Sequence, residues 1–260
     1  MDLGISQRRA IVTASSAGLG FACAQALVRE GVHVVINGRD RDNLEAAALQ
    51  LRDLGAVDQV IAVCGNIENE STRAALFAAC PAPDILVNNN GGPNPGRFGE
   101  WKRDDWIAAI DSNMLAPIAM IQGSIDGMVQ RQFGRIVNIT SAMVKSPRSP
   151  MGLSSAARTG LTAVCKGLSR DVAHANVTIN NLLPERIDTG RQRQMAELAV
   201  TFKGITLEEA YDDIAQTIAA KRLGRPDEFG AACAFLCSAH AGFISGQNIG
   251  IDGGTYEGLI

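Results

Sequence analysis

The sequence lacks the residue patterns that mark metal centres, redox pairs, membrane spans and nucleic-acid surfaces. Its six cysteines never form a C-x-x-C pair and its three histidines lie far apart, so neither a metal site nor a redox motif is predicted. No apolar run approaches the roughly 18 residues of a membrane span, and no charged-then-apolar signal region is present. Lysine and arginine are scattered along a chain of net charge −3. We therefore expect a soluble, cytoplasmic protein that binds neither nucleic acid nor membrane.

What the sequence does contain is a regular alternation of short apolar runs and helical patterns, with no linker or repeat between them. This alternation predicts βαβ units that build a parallel sheet with helices on both faces, and a hydrophobic fraction of 46% is ample for the core. Strands are expected at 8–13, 32–37, 59–64, 84–88, 134–140, 176–182 and 247–251. Helices are expected at 18–30, 41–54, 70–79, 103–130, 154–174 and 226–238. Right-handed crossovers place the turn after every strand on one edge, where open sheets of this kind bind ligands.

The turn after the first strand has the composition of a phosphate-binding loop. Residues 12–20 read as a strand end, a turn of small residues and a helix start. Backbone N–H groups and the positive end of the helix dipole would converge there on an anion, and Gly18 and Gly20 leave room for it. Ala14 stands in place of the first glycine of the dinucleotide fingerprint, so this stretch alone leaves a packing role equally open.

The turn after the second strand indicates which dinucleotide would bind. Gly38 removes an obstruction, and Arg39 supplies a charge that can pair with the 2′-phosphate of NADP. The alternative is that Arg39 and Arg41 only begin a solvated helix face. Residues 64–67, after the third strand, either flank an adenine ring or form an ordinary turn.

Three later strand ends bring polar side chains to the same edge. The fourth strand runs into residues 88–93, where three asparagines and two glycines precede a proline. Such residues tolerate left-handed backbone and form local hydrogen bonds, and a plain loop rarely needs all of them together. The fifth strand delivers the hydroxyl of Ser141, and residues 178–189 read as a strand that leads into a proline turn. Together these turns would line one crevice.

Taken in order, the motifs resemble the short-chain dehydrogenase/reductase family over nearly the whole chain, and most closely its 3-oxoacyl-carrier-protein reductase-like members. The matching segments are 13–20, 37–39, 86–92, 136–141, 182–189, 222–228, 243–247 and 251–254, together with Asn113. The resemblance implies one doubly wound, Rossmann-type domain over residues 1–260, with a parallel sheet of about seven strands. It implies hydride transfer between a carbonyl and an alcohol, with NADP(H) preferred over NAD(H), in a homotetramer or dimer.

The resemblance also assigns the site residues, among which Asn88 helps to shape the coenzyme pocket and Thr189 contacts the nicotinamide amide. The coenzyme set is Thr13, Ser15, Ser16, Gly18, Leu19, Gly20, Arg39, Asn66, Ile67, Asn88, Asn90, Gly91, Arg158, Pro184, Ile187 and Thr189. The catalytic set is Asn113, Ser141, Ser154 and Arg158.

The catalytic set departs from the family pattern at two positions. The family uses a Tyr-x-x-x-Lys pair in which the tyrosine passes a proton, whereas Ser154 and Arg158 stand at those positions here. The only tyrosines, Tyr211 and Tyr256, lie far from this helix start in sequence. A serine hydroxyl is a poor proton donor unless it relays from water, and a guanidinium holds its charge rather than exchanging protons.

Three functions remain open at this point. The chain is an NADP(H)-dependent oxidoreductase with an altered catalytic group, a catalytically silent member that keeps NADP as a structural or sensing ligand, or an oligomeric scaffold without nucleotide. Lys145 and Arg148 either replace the missing proton source or lie in a solvated loop.

Residues 190–220 are expected to form a lid that sets the substrate. Thr206 and Glu209 form a capping-box pattern for a helix that continues through Ala219. Arg191 and Arg193 either attract an anionic substrate or belong to a solvated helix face.

Overall fold

Seven parallel strands form one sheet with helices on both faces, and there are nine α-helices in all, in a computed structural model that describes residues 1–55 and 57–259. The strands are β1 Arg9–Val12, β2 His33–Gly38, β3 Val60–Cys64, β4 Ile85–Asn88, β5 Gly134–Ile139, β6 Val177–Pro184 and β7 Asn248–Ile251. The helices are α1 Gly18–Arg29, α2 Arg41–Arg52, α3 Glu70–Ala79, α4 Arg103–Ile110, α5 Ala116–Gln130, α6 Gly152–Val172, α7 Gly190–Lys203, α8 Leu207–Gln216 and α9 Pro226–Cys237. The predicted doubly wound α/β fold is confirmed.

The strands are almost continuously apolar because helices cover both sides of the sheet. Successive residues of β1 enter different cores: Ala10 and Val12 pack with α1, α2 and α9, whereas Ile11 packs with α3, α5 and α6. The same alternation places Val34 and Val35 of β2 in opposite cores. Each strand therefore stabilises two layers of helices at once.

The order of the strands creates the crevice. The sheet runs β3-β2-β1-β4-β5-β6-β7, so the direction of winding reverses between β1 and β4. The turns after β1 and β4 lead to helices on opposite faces and leave a gap at the carboxyl edge. The strand ends identified in the sequence all reach this edge.

The predicted helix over 103–130 is not one continuous α-helix. A π-helical turn, Asp111–Leu115, separates α4 from α5, and the N–H of Ala116 bonds to the carbonyl of Asp111. Pro117 follows and has no N–H to continue the α-helical pattern, which accounts for the interruption. Such turns are frequent at functional sites, and this one contains Asn113.

Several helix bounds also differ from the prediction, by one to three residues. The capping box of Thr206 and Glu209 is present, but α8 ends at Gln216 rather than Ala219. The hydroxyl of Thr217 bonds to a carbonyl of the last turn, and the chain then bends to bury Ile218. Helix α6 begins at Gly152, two residues before its predicted start.

Candidate active site

The phosphate-binding turn has an open cradle at the start of α1. Gly18 has φ +60°, and a Cβ there would come no closer than 3.9 Å to any atom outside the turn, its neighbour being Thr189. Ala17 precedes the helix and offers no side-chain cap, so the first N–H groups of α1 remain available to an anion. Thr189, at the start of α7, closes the crevice from the opposite side.

Gly20 is required for packing rather than for ligand access. A Cβ at this position would lie 2.5 Å from the Ala14 carbonyl oxygen and 2.9 Å from the Cα of Ser15. Leu19, between the two glycines, packs partly buried against the core. The tight turn therefore depends on glycine at position 20, and the open cradle lies at position 18.

Thr13 and Ser15, two residues of the predicted coenzyme set, use their hydroxyls for hydrogen bonds within the protein. The Thr13 hydroxyl donates to the Asn89 carbonyl at 2.8 Å and accepts from the Asn89 N–H at 2.9 Å. The Ser15 hydroxyl donates to the Val12 carbonyl and accepts from the Asn37 N–H. Both are buried because they tie the turn to β2 and β4, so their side chains hold its shape.

A cavity of about 160 Å³ continues from the turn along the ends of β2 and β3. Its lining includes Ser16, Arg39, Asn66 and Ile67. The exposed Arg39 forms no ion pair with any residue that the structure describes. Asp40, the adjacent acid, caps α2 by accepting the Asn43 N–H at 2.9 Å, so its carboxylate is engaged. The pocket can accept a phosphate next to Arg39.

The loop after β4 forms the middle of the crevice. Asn90 anchors it by donating to the Ser112 carbonyl at 2.9 Å, and a Cβ at Gly91 would meet no atom within 4 Å. Asn88, by contrast, is buried and donates to Asn138 Oδ1 at 2.9 Å. Its side chain turns into the protein because β4 and β5 pair there, so it shapes the pocket from within.

Asn113 contacts this loop, and Ser141 follows the neighbouring strand β5. Asn113 is buried in the π-helical turn and donates to the Ser112 hydroxyl at 2.6 Å and to the Gly91 carbonyl at 3.4 Å. Its Oδ1 has no hydrogen-bond partner within residues 1–55 and 57–259. Ser141 is half-buried beyond the end of β5, and its hydroxyl accepts the Met143 N–H at 3.2 Å.

Ser154 and Arg158 form one hydrogen-bonded unit in the first turns of α6. Arg158 Nε donates to the Ser154 hydroxyl at 3.2 Å, as expected for residues four apart on one helix face. Its other nitrogens donate to the carbonyls of Ile139, at 2.8 Å, and Asn90, at 3.2 Å. The guanidinium therefore joins α6 to β5 and to the loop after β4.

Arg158 is a buried cation without an acidic partner in the part of the chain that the structure describes. Desolvation lowers the pKa of its guanidinium to about 10, so the group remains charged at neutral pH. Its three acceptors are all neutral.

Lys145 and Arg148, the two other cations considered for proton transfer, have different surroundings. Lys145 Nζ lies 5.3 Å from the centre of the Tyr256 ring, and Arg148 approaches a Glu185 carboxylate oxygen at 3.6 Å. Arg148 is thus engaged with an acid. Lys145 is exposed beside a cavity of about 220 Å³.

The end of β6 and the start of α7 close the far side of the crevice. Pro184 is half-buried, and Ile187 is buried against Gly224. Arg191, in the first turn of α7, donates to Asn94 Oδ1 at 2.9 Å and to the Pro93 carbonyl at 3.2 Å. These bonds span the crevice and connect α7 to the loop after β4.

Sequence reasoning missed the role of two residues at this site. Gly92 faces Ser154 and Arg158: a Cβ there would lie 3.4 Å from an Arg158 terminal nitrogen and 3.8 Å from the Ser154 hydroxyl. Trp101 packs directly on Gly152 at the start of α6. The two consecutive glycines at 91–92 could have indicated a close approach in the sequence, whereas no local sequence pattern indicates the contact of Trp101 with Gly152.

Among the described residues, no cluster of three or more histidine, cysteine or acidic side chains could hold a metal ion. No helix formed by residues 1–55 and 57–259 is long and apolar enough to cross a membrane.

Comparison with known proteins gives matches over almost the full length. The family model described as enoyl-(acyl carrier protein) reductase matches residues 13–256. The NADPH-dependent reductase BacG of Bacillus subtilis (strain 168) is 33% identical over 259 residues, which cover 98% of this chain and 100% of BacG. Acetoacetyl-CoA reductase of Cupriavidus necator is 32% identical, over 98% of this chain and 100% of its own. L-sorbose reductase of Gluconobacter frateurii, solved with NADPH and L-sorbose, has a TM-score of 0.94 at 27% identity and covers 100% of both chains.

Proposed function

Because this chain belongs to the short-chain dehydrogenase/reductase family, we propose that it interconverts a carbonyl and an alcohol by hydride transfer, with Ser154 and Arg158 where the family pattern has tyrosine and lysine. Its coenzyme is NADP(H), as for the NADPH-dependent relatives. The observation that carries the proposal is the continuity of the crevice. The open cradle at Gly18, the free charge of Arg39 and the Ser154–Arg158 unit lie along one carboxyl edge.

The residues that would hold the coenzyme fit its chemistry. The cradle at Gly18 would bind the diphosphate, and Arg39 would donate hydrogen bonds to the 2′-phosphate. Bound there, NADPH supplies the hydride. Asn90 and Gly91 border the middle of the groove, and Thr189 faces Gly18 from α7.

The catalytic residues orient the substrate oxygen and stabilise its charge. We assign Ser141 to this oxygen because its hydroxyl accepts the Met143 N–H, which leaves its own hydrogen to donate to the substrate. Arg158 contributes a fixed positive charge, and its remaining N–H groups can bind ribose hydroxyls. The proton itself comes from water, relayed through Ser154, because neither Ser154 nor Arg158 releases a proton readily near neutral pH.

The alternative is a catalytically silent member that retains NADP as a structural or sensing ligand. It is favoured by the absence of both a phenol and an amine at Ser154 and Arg158. The two functions differ in turnover: we expect a carbonyl panel to show NADPH consumption with matching product, and Ser141→Ala to abolish it while calorimetry still detects NADPH binding. Tight binding of NADPH without turnover above the buffer rate would establish the silent alternative.

We further propose that residues 1–260 form one domain with a substrate lid at about 190–220. The bonds of Arg191 to Pro93 and Asn94 support the lid, since they link α7 across the crevice. A homo-oligomer, as tetramer or dimer, remains an expectation from the family, and a cytoplasmic location remains an expectation from the sequence. Size-exclusion chromatography with light scattering tests the first, and cell fractionation tests the second.

A further inference from the structure

A second cavity lies at the amino edge of the sheet, where the strands begin, and its volume is about 350 Å³. The first residues of β1 and β2, Arg9 and His33, line it together with Ile61 of β3. Strand β2 runs about 16 Å from His33 to Gly38, at roughly 3.3 Å per residue. This amino-edge cavity is therefore separate from the crevice beside Arg39, which lies at the other end of the same strand.

The walls of the amino-edge cavity are mainly apolar. Val34 and Val35 of β2 and Ala79 at the end of α3 line it, and the side chain of Ile61 is left 45% exposed beside it. Cys80 adds to the apolar wall, because burial raises the pKa of its thiol to about 11 and keeps it neutral at neutral pH. A volume within the range of about 300–1,000 Å³ and a lining of this kind are typical of small-molecule sites.

Arg9 gives the amino-edge cavity a positive charge that is open to a ligand. Its exposed side chain forms no ion pair or hydrogen bond with any of residues 1–55 and 57–259. The carboxylate of Asp84 accepts the backbone N–H of Arg9 at 3.1 Å, but it already approaches Arg8 and Arg131, each at 3.5 Å. Asp58 also lines the cavity, and because it is exposed, solvent and salt screen its charge.

The surroundings of the cavity carry an excess of positive charge. Arg8 and Arg135 both lie against the ring of Phe133, with their guanidinium carbons 3.9 and 4.4 Å from its centre. With Arg9 and Arg131, four arginines are grouped at this edge around one buried carboxylate, in a chain whose net charge is −3. A local excess of this kind attracts anions to a protein that is acidic as a whole.

We propose that the amino-edge cavity binds a second small molecule, an apolar compound that carries one carboxylate or sulfonate group. The anionic group pairs with Arg9, and the apolar body covers Ile61 and Val35. A cation of the same shape would meet the four arginines, and a small polar anion such as inorganic phosphate would leave the apolar walls uncovered. This site does not rest on the proposed function, because it lies at the opposite edge of the sheet and takes no part in hydride transfer.

The site is tested with 8-anilinonaphthalene-1-sulfonate, an aromatic sulfonate whose fluorescence rises when it binds an apolar surface. The protein is titrated with this probe in the presence of saturating NADPH. We expect one probe molecule to bind each chain, and octanoate to displace it more effectively than octylamine of the same length. Absence of probe binding in the presence of NADPH, or equal displacement by octylamine, would overturn the inference.

Two variants locate the probe. Arg9→Gln removes the charge and should weaken binding roughly tenfold, and by less at high salt, because solvent screens a charge-assisted hydrogen bond at an exposed site. Ala79→Phe fills part of the cavity and should weaken binding at least as much. Arg41→Gln removes an exposed arginine beyond the other end of β2 and should leave binding unchanged. With each variant shown to be folded by circular dichroism, unchanged affinity in Arg9→Gln or in Ala79→Phe would refute the site.

Discussion

Arg39 should decide which nicotinamide coenzyme the protein accepts. It is exposed at the end of β2, beside the cavity that continues from the phosphate turn, and it forms no ion pair with a described residue. The neighbouring acid that could favour NAD by binding ribose hydroxyls, Asp40, caps α2 instead. The 2′-phosphate distinguishes NADPH from NADH, and the guanidinium of Arg39 is the charge placed to bind it.

The change to make is Arg39→Ala, which removes the charge-assisted hydrogen bonds to the phosphate. Such bonds contribute about 1.5–3 kcal/mol, or roughly 10- to 150-fold in affinity, and solvent screening at an exposed site favours the low end. Calorimetry should therefore show NADPH binding weakened by about tenfold and NADH binding unchanged. Raising the salt concentration should reduce the difference between the two proteins.

The matched control is Arg41→Ala, at the first position of α2 and equally exposed. It removes the same charge two residues away and should change neither affinity by more than about twofold. If Arg39→Ala weakened NADPH and NADH equally, or if Arg41→Ala had the larger effect, the assignment of Arg39 to the 2′-phosphate would be wrong.

Two further predictions concern groups around the site and in the core. Cys64 is half-buried and its thiol lies 3.5 Å from the Arg39 carbonyl, whereas the other five cysteines are buried. A maleimide should therefore add once, at Cys64, and bound NADPH should slow the addition. Intact-mass measurements follow the reaction. The buried Arg135 donates four hydrogen bonds, to the carbonyls of Ser238, Gly134 and Asn176 and to Asn176 Oδ1. Arg135→Met removes all four, so urea denaturation should show a loss of about 3 kcal/mol or more; a loss under about 1 kcal/mol would contradict a structural role for Arg135.

The fold could be predicted from the sequence because each element carries its own signal. Most strands are short apolar runs and most helices carry an apolar stripe at helical spacing, so the order of elements indicates a doubly wound sheet. The π-helical turn at 111–115 was not predicted because one extra residue in a single turn hardly changes the spacing of apolar residues over 103–130. Pro117 is the local cause of the π-helical turn, but a proline gives this effect only where the helix continues on both sides of it.

The site could be predicted as a set of residue types, but the direction of each side chain could not. Thr13 and Asn88 turn inward because their hydrogen-bond partners, Asn89 and Asn138, come from neighbouring strands. The engagement of Asp40 as a helix cap and the position of Gly92 opposite Ser154 likewise depend on how distant turns meet. Such contacts join residues that are far apart in sequence, so no local sequence pattern predicts them.

The most direct test of the central claim, hydride transfer at a site that lacks its own proton donor, compares the protein with the double variant Ser154→Tyr, Arg158→Lys. The measurement is the rate of NADPH-dependent reduction of a saturated ketone, for folded proteins that bind NADPH equally. General acid catalysis contributes about 10²- to 10⁴-fold, so the double variant should be faster by an amount in that range. An unchanged or lower rate in the double variant would contradict the account, because it would show that Ser154 and Arg158 do not occupy the place of the proton donor.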